Sequence, residues 1–355
     1  MKIGIVGLPN AGKTTLFNAL TRAGAETAGY PFTTVDPNVA VVPVPDERLE
    51  PVAAAAAASP LVPETVEFRD IAGLVRGASA GEGLGNRFLA EIRETDAICH
   101  VVRVHGDDSV PHPDGRIDPL EDVETIEAEL LLADLDQAER RLERVRKEAG
   151  SGDREPLAER DWLERVVDAL ARGEPVRSVP PPAGAPDAPA RLQALTSKPV
   201  LYVANVDEGV TEPPAELAAR AAGATRIAVS ARIEAELAEL AAEDAAEMRA
   251  GMGLADSGLE RLVRAAYDLL GLITFFTAHP GSEARARALR SGLTAWDAAG
   301  RVHGDIQAGF VRAEVIGWRE LVEAGGYAAA RERGLLRTEG RDYVVRDGDV
   351  VTIRH

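Results

Sequence analysis

The stretch Gly7-Leu-Pro-Asn-Ala-Gly12-Lys13-Thr14 decides the fold of this chain. It follows Lys2–Val6, a β-branched run typical of a buried strand, and it precedes a helical pattern with its apolar residues on one face. The spacing G-x-x-x-x-G-K-[ST] between a strand and a helix is that of a phosphate-binding loop. We therefore predict that backbone N–H groups of this loop and the positive end of the next helix hold nucleotide phosphates.

Three side chains of the loop have distinct predicted roles at the phosphates. Lys13, one of four lysines in the chain, neutralises β- and γ-phosphate charge and is a candidate catalytic residue. We expect the Thr14 hydroxyl to ligate Mg²⁺ and Thr15 to donate to the α-phosphate. The predicted nucleotide contacts in this loop are Asn10, Ala11, Gly12, Lys13, Thr14 and Thr15.

Two later segments complete the predicted magnesium site. Asp70-Ile-Ala-Gly73 ends a strand, so that Asp70 supplies a second magnesium contact and the Gly73 N–H reaches the γ-phosphate. Between the loop and Asp70, the segment Tyr30-Pro-Phe-Thr-Thr34 offers Thr33 or Thr34 to close the magnesium shell; the alternative is a plain surface turn.

The base-recognition segment departs from ordinary GTPases. There, Asn-Lys-x-Asp follows a strand, and its aspartate accepts from guanine; here Asn205-Val-Asp-Glu208 follows Val200–Ala204. Val206 replaces the lysine, and Glu208 places its carboxylate one methylene further out. Adenine suits Asn205 and local backbone groups, with Ser230 and Ala231 behind the base. The alternative for Asn205 and Glu208 is a simple helix N-terminus.

Strands alternating with helices predict a mostly parallel α/β sheet with right-handed crossovers. The predicted strands of this sheet are Lys2–Val6, Val39–Val44, Glu64–Asp70, Asp96–Val104, Pro199–Ala204 and Arg226–Val229. Residues 118–190 form a helical insertion, either a short antiparallel coiled coil or two amphipathic helices lying flat on the sheet.

A change in the sequence pattern near Gly271 divides the chain into domains 1–271 and 272–355. In the second we predict a helix at Trp318–Ala324 and strands at Ile273–Phe276, Phe310–Val315, Tyr343–Val345 and Val350–Ile353.

Composition excludes several classes of function. Acidic residues outnumber basic ones by 58 to 40, so bulk charge cannot hold nucleic acid, and we expect no DNA partner. Residues 272–355 carry 12 arginines against 11 acids and are the less repelled part. The single Cys99 excludes an internal disulfide framework and a multi-cysteine zinc cage. With no apolar run near 20 residues and no secretion signal, we expect a cytoplasmic protein without a membrane partner.

Taken together, these motifs resemble the YchF/Obg-like ATPases, a branch of the Obg-type P-loop proteins. The resemblance covers nearly the whole chain in order. It is carried by GLPNAGKTTLFNAL (7–20), GYPFTTVDPNVAVVPVPDERL (29–49), DIAGLVRGASAGEGLGNRFLAEIRETDAI (70–98), the Asn-x-x-Glu element, IEAELAEL (233–240) and GLERLVRAAYDLLGLITFFTA (258–278).

The resemblance implies a G domain with a helical insertion and a C-terminal TGS domain, which is a β-grasp module. It also implies ATP in preference to GTP, nucleotide contacts at Asn10–Thr15, magnesium contacts at Thr14 and Thr34, and a ribosomal partner. Two departures concern the TGS partner contacts: the match is loosest in the C-terminal tail, and poly-alanine at Ala53–Ala58 replaces a charged helix.

The chain lacks the residue that usually orients the attacking water during hydrolysis. Ras-type sites place glutamine directly after the D-x-x-G glycine, whereas this chain has Leu74, which cannot hydrogen-bond water. His112 resembles a histidine proposed for that role in the family, and an imidazole is suited to it; the alternative is an exposed loop histidine. We expect His100 and His105 to be structural.

Two functions follow. The first is a slow Mg²⁺-dependent ATPase. The second is an ATP-loaded switch on the ribosome, contacting it through the TGS domain and coiled coil, with negligible turnover. A GTP-specific Obg-type GTPase is the alternative for the substrate.

Overall fold

The computed structural model describes residues 1–27, 38–71, 84–106, 115, 118–149, 153–220, 224–254 and 256–355. They divide into two compact units. Unit 1 contains Met1–Val42 and Glu67–Ala266, and unit 2 contains Pro43–Val66 and Tyr267–His355. The predicted site residues Thr34, Gly73 and His112, together with Leu74, lie outside the described residues.

The strands and helices are as follows in chain order. The strands are β1 (Lys2–Val6), β2 (Val39–Pro43), β3 (Leu61–Val62), β4 (Thr65–Asp70), β5 (Ala97–Arg103), β6 (Val200–Asn205), β7 (Thr225–Val229), β8 (Leu272–Thr277), β9 (Ala284–Arg290), β10 (Arg312–Gly317), β11 (Arg337–Glu339) and β12 (Asp349–Arg354). The helices are α1 (Lys13–Thr27), α2 (Leu49–Ala56), α3 (Leu84–Arg93), α4 (Pro119–Glu148), α5 (Arg154–Ala171), α6 (Ala188–Leu192), α7 (Ala215–Arg220), α8 (Ala231–Leu237), α9 (Ala242–Gly251), α10 (Gly258–Leu269), α11 (Ala295–Val302), α12 (Gly304–Ala308), α13 (Trp318–Ala324) and α14 (Tyr327–Glu332).

Unit 1 contains the predicted α/β sheet. Its strand order is β2-β4-β1-β5-β6-β7, and β1 pairs in parallel with both β4 and β5, as β6 does with β5 and β7. The β1 side chains Ile3, Ile5 and Val6 are buried, as the β-branched run indicates. Because β1, β5 and β6 run in parallel, the segments that follow them emerge at one edge, where ligands bind in such sheets.

The helical insertion combines the two arrangements weighed from the sequence. Helix α4 begins at Pro119 after an Asp118 cap, whose carboxylate accepts from the N–H groups of Leu120 and Glu121. Its first half packs on the sheet through Ile126 and Leu130. Its second half packs against α5 in a helical hairpin, burying Ala138, Leu142 and Val145 against Trp162, Leu163 and Val166.

A buried carboxylate stabilises this hairpin. Glu159 of α5 accepts from Arg141 at 2.8 Å and from Arg191 at 2.6 Å, linking α4, α5 and α6. Burial raises the pKa of Glu159, but the hydrogen bonds and charges of the two arginines outweigh burial and leave it below the ordinary value.

We expect Glu159→Gln to lower the free energy of unfolding by about 1–3 kcal/mol at neutral pH, because Arg141 and Arg191 both lose the Glu159 charge, although Arg191 retains Glu155. Since the folded pKa is depressed, the wild-type contribution is present above the unfolded pKa and is lost as pH falls through the folded pKa. Urea unfolding from pH 7 to pH 3 should show this loss in the wild type and a flatter profile in the variant. Glu164→Gln, at an exposed pair with Arg146, is the control and should change little.

Unit 2 includes a segment from the first half of the chain. The boundary predicted near Gly271 places residues 43–66 in the first domain, whereas α2 and β3 lie in unit 2. Val52, Ala53 and Ala56 of α2 pack against Phe276, Ile316 and Leu321, and β3 pairs in parallel with β9. The poly-alanine run therefore forms the last turn of α2 and its cap, with Ala53, Ala56 and Ala58 buried in the core of unit 2 and Ala54 and Ala57 exposed.

The second sheet is mixed, with strand order β11-β10-β12-β8-β9-β3. Strand β9 was not predicted, because Ala284–Arg290 alternates alanine and arginine and has little β-propensity; pairing with β8 imposes it. The predicted strand Tyr343–Val345 is wrong. It forms only an isolated bridge between Val344 and Thr294, because Thr294 caps helix α11 and the chain turns between Arg346 and Asp349.

In the described part of the chain, every helix is too short or too polar to cross a bilayer.

Candidate nucleotide-binding site

The loop between β1 and α1 adopts a conformation that requires its two glycines. Gly7 and Gly12 have φ values of 155° and 96°, and the intervening Asn10 also has a positive φ, 64°. A Cβ on Gly7 would lie 2.4 Å from the Val101 carbonyl oxygen, and one on Gly12 would lie 2.2 Å from the Asn205 Nδ2. Backbone conformation and close packing therefore both require glycine at positions 7 and 12.

Lys13 places a positive charge inside the loop. Its side chain is buried, and its Nζ donates to the Leu8 carbonyl oxygen at 2.8 Å. Burial lowers the pKa of Lys13, and the negative charge of Asp70 partly offsets this effect. A buried ammonium group with one carbonyl partner and a nearby carboxylate favours the arrival of an anion.

Asp70 and Thr14 form an oxygen pair beside the loop. Asp70 ends β4, next to Ile5 of β1, and its Oδ2 lies 3.5 Å from the Thr14 Oγ1. Burial raises the pKa of Asp70, while the Lys13 charge and the Thr14 hydroxyl lower it. A carboxylate and a hydroxyl are the hard oxygen donors that Mg²⁺ takes, so this pair fits the predicted metal.

Asn205 joins three segments of the site. Its Nδ2 donates to the Ala11 carbonyl oxygen at 3.0 Å, and its Oδ1 accepts from the Ala231 N–H at 3.1 Å. The amide is therefore used at both ends to connect the phosphate loop, the end of β6 and the start of α8. The direct contact of Asn205 with adenine stays a prediction; in this structure both ends of its amide bond backbone groups.

These segments enclose a cavity of about 700 Å³, within the size range of small-molecule sites. Ala11 is buried beneath it, and Asp70 lies beside it. The residues lining the cavity are Asn10, Gly12, Lys13, Thr14, Thr15, His105, Asn205, Val206, Asp207, Glu208, Ser230, Ala231, Arg232 and Ile233. Apart from Ala11, Asp70 and the three residues outside the described part, every predicted site residue therefore lines this cavity.

Five lining residues were not predicted as site residues: the apolar Val206 and Ile233, and three polar residues. His105, which the sequence predicts to be structural, follows β5 and lies in the cavity wall. Its backbone N–H donates to the Asn205 carbonyl oxygen at 3.1 Å. Asp207 accepts from the Gly106 N–H at 3.2 Å, which connects the β5 and β6 ends, and Arg232 follows Ala231 at the rim. The sequence feature that could have identified these residues is their position, because each follows the carboxyl end of a parallel strand.

We expect Asn205→Ala to weaken ATP binding about tenfold or more, because the Ala11 carbonyl and the Ala231 N–H each lose a buried partner at roughly 1–3 kcal/mol. Isothermal titration calorimetry with ATP measures the affinity, and thermal unfolding reports the loss of stability. Asn18→Ala, at an exposed position of α1, is the matched control. Equal affinities in all three proteins would contradict the positioning role of Asn205.

Comparisons with known proteins agree with this geometry. Residues 2–140 match a family model described as "50S ribosome-binding GTPase", and residues 272–355 match the model YchF-GTPase_C, described as "Protein of unknown function (DUF933)". Each of two relatives is named "Ribosome-binding ATPase YchF". The one from Bacillus subtilis is 47% identical and the one from Haemophilus influenzae 48% identical; both alignments cover 99% of this chain and 98% of the relative.

The solved structures give the same result. A structure titled "Structure of the Schizosaccharomyces pombe YchF GTPase" superposes with a TM-score of 0.88 at 34% identity, covering all of this chain and 97% of that one. The fold match therefore confirms the P-loop fold predicted from Gly7–Thr14. With relatives this similar over nearly their full length, the chain belongs to the YchF family.

Proposed function

We propose that this chain is a Mg²⁺-dependent protein that binds ATP, hydrolyses it slowly, and acts as a nucleotide switch on the ribosome. The buried ammonium of Lys13, held at the Leu8 carbonyl inside a loop built for anions, is the observation that carries the nucleotide-binding part. The ribosomal part is supported by the names of the relatives, each called a ribosome-binding ATPase.

The proposed contacts follow the cavity. Asn10–Thr15 and the Gly73 N–H hold the phosphates, while Glu208, Ser230 and Ala231 surround the base on the framework that Asn205 fixes. Thr14, Asp70 and Thr34 would hold Mg²⁺, which when bound neutralises charge on the β- and γ-phosphates. Lys13 keeps its ammonium at the phosphates, and His112 remains the proposed water-orienting residue.

ATP rather than GTP is proposed as the substrate. Val206 is 3% exposed and packs with Val102 and Ala204, so this position offers a guanine base no polar group. Glu208 is exposed at the rim, one methylene longer than the aspartate that reads guanine. The alternative, GTP, is favoured by the names of the Schizosaccharomyces pombe structure and of the N-terminal family model, both called GTPases.

Parallel titration of the Mg²⁺ complexes of ATP and GTP tests the substrate. We expect the double variant Val206→Lys/Glu208→Asp to move the affinity ratio toward GTP by about tenfold or more, because an aspartate at this position pairs with N1–H and the exocyclic amine of guanine. A lysine at a buried position costs stability, so Glu208→Asp alone is measured as well. Glu216→Asp, exposed on α7, is the matched control.

Tighter wild-type binding of GTP than of ATP would overturn the proposed substrate. Turnover is measured separately with and without ribosomes. We expect a slow rate of hydrolysis that ribosomes stimulate. Rapid turnover without ribosomes would indicate a metabolic enzyme and would contradict the proposed switch.

Unit 2 and the α4–α5 hairpin are the proposed ribosome contacts. Counting residues 43–66 and 267–355 together, unit 2 carries 13 arginines against 16 acidic residues, so its net charge is negative. Bulk attraction to RNA therefore does not support this contact, and local groups must make it. The proposed location in the cell is the cytoplasm.

A further inference from the structure

Two of the sequence segments that carry the family resemblance contribute no residue to the proposed nucleotide contacts. The first is IEAELAEL (233–240), which includes most of α8, and the second is GLERLVRAAYDLLGLITFFTA (258–278), which begins with α10. The structure brings the first turns of these two helices together in unit 1. They meet beside the base segment, a name we use for Ser230 and Ala231.

Glu234 is a buried carboxylate, 6% exposed, one helical turn after Ala231. Its Oε1 accepts from the Gly258 N–H at 2.7 Å, and its Oε2 accepts from the Ser257 hydroxyl at 3.1 Å. The N–H groups in the first turn of a helix have no partner within the helix, and the positive end of the helix dipole favours an anion. Both oxygens of Glu234 therefore fix α8 to the start of α10.

Gly258 allows this close approach of the two helices. A Cβ at Gly258 would lie 2.6 Å from the Glu234 Oε1 and 3.1 Å from the Val229 Cγ1. Val229 ends β7 and directly precedes Ser230. The first turn of α10 therefore packs against the residue before the base segment while its N–H bonds to a residue after it.

A second hydrogen bond holds the strand that leads into the base segment. Arg261, one turn further along α10, donates from its Nη2 to the Ala228 carbonyl oxygen at 2.9 Å. Ala228 lies in β7, two residues before Ser230. Helix α10 thus bonds the chain before the base segment through Arg261 and the chain after it through Glu234.

We propose that Glu234 and Arg261 are positioning residues for the nucleotide base. They hold the base segment from α10, in addition to the bond from the Ala231 N–H to Asn205. A segment that is fixed before the ligand arrives does not have to be ordered on binding, so loss of these contacts lowers the affinity for the base and spares the phosphates. This inference rests on the proposed function, because it requires that the cavity binds a nucleotide.

The test compares ATP with inorganic tripolyphosphate, which has a chain of three phosphates and no base. Titration calorimetry on the full chain with Mg²⁺ measures the affinity for ATP, and competition against a fluorescent ATP analogue measures the affinity for tripolyphosphate. We expect Glu234→Ala and Arg261→Met each to weaken ATP binding about tenfold and to change tripolyphosphate binding by less than about twofold. General damage to the fold would weaken both ligands.

Glu234→Gln keeps an acceptor for the Gly258 N–H, so its affinity for ATP should stay within about threefold of the wild type. Glu260→Ala, at an exposed acid in the same turn of α10, is the matched control and should change neither affinity. Equal ATP affinity in the wild type, Glu234→Ala and Arg261→Met would overturn this inference alone, as would equal weakening of ATP and tripolyphosphate. Failure of the wild type to bind ATP would overturn the proposed function, and this inference with it.

Discussion

Gly12→Ala is expected to reduce ATP affinity by about a hundredfold or more, a loss of roughly 3 kcal/mol in binding free energy. Gly12 has a φ of 96°, which a residue with a Cβ rarely adopts, and the added Cβ would lie 2.2 Å from the Asn205 Nδ2. Asn205 cannot move aside cheaply, because its amide bonds both Ala11 and Ala231. The substitution therefore strains the loop and displaces the residue that joins the loop to the start of α8.

The secondary structure of the variant distinguishes a local change in the loop from general unfolding. Only the loop and the Asn205 contacts should change, so we expect far-ultraviolet circular dichroism close to that of the wild type, while titration calorimetry shows the lost affinity. Gly251→Ala is the matched control: Gly251 lies at the end of α9 with no atom near its added Cβ, and alanine suits a helix. ATP binding to Gly12→Ala within threefold of the wild type would show that the loop tolerates a side chain.

The phosphate loop was predictable because its determinants are local. Gly7, Gly12, Lys13 and Thr14 stand at fixed offsets between one strand and one helix, so spacing alone specifies the backbone that surrounds an anion. Asp70 could be added because the end of the neighbouring strand in a parallel sheet lies at the same edge.

The role of Asn205 was not predictable in the same way. Its partners Ala11 and Ala231 lie 194 and 26 residues away in sequence, and they use backbone groups that every residue type carries. A sequence pattern shows that an amide follows β6, but not whether its donor faces a base or a carbonyl. For the same reason the sequence predicts only a structural role for His105, which lies in the cavity wall.

The assignment of residues 43–66 shows a second limit. The apolar and alanine positions of α2 indicate a helix with a buried face, but amphipathicity does not say which sheet that face meets. Chain order favoured the first domain, whereas Val52 and Ala56 complete the core of unit 2. Long-range packing decides such cases, and a single sequence contains little record of it.

Lys13→Met is expected to weaken ATP binding by about a hundredfold, through loss of the one buried ammonium in the described part of the phosphate loop. The free protein should not be destabilised. Burial lowers the pKa of Lys13, so the unfolded chain binds more protons than the folded chain between the folded pKa and the ordinary value of 10.5. Wild-type stability therefore rises with pH across that window, and the variant should lack this rise.

Binding should show the opposite dependence on pH. The phosphates favour the charged lysine, so wild-type affinity for ATP falls as pH rises through the lowered pKa, and binding there takes up a proton. Calorimetry in two buffers of different ionisation enthalpy measures that uptake, which Lys13→Met should abolish. Lys147→Met, exposed on the hairpin, is the control and should keep both affinity and uptake. Proton uptake that persists in Lys13→Met would assign the titration to another group, and unchanged affinity would remove Lys13 from the phosphate site.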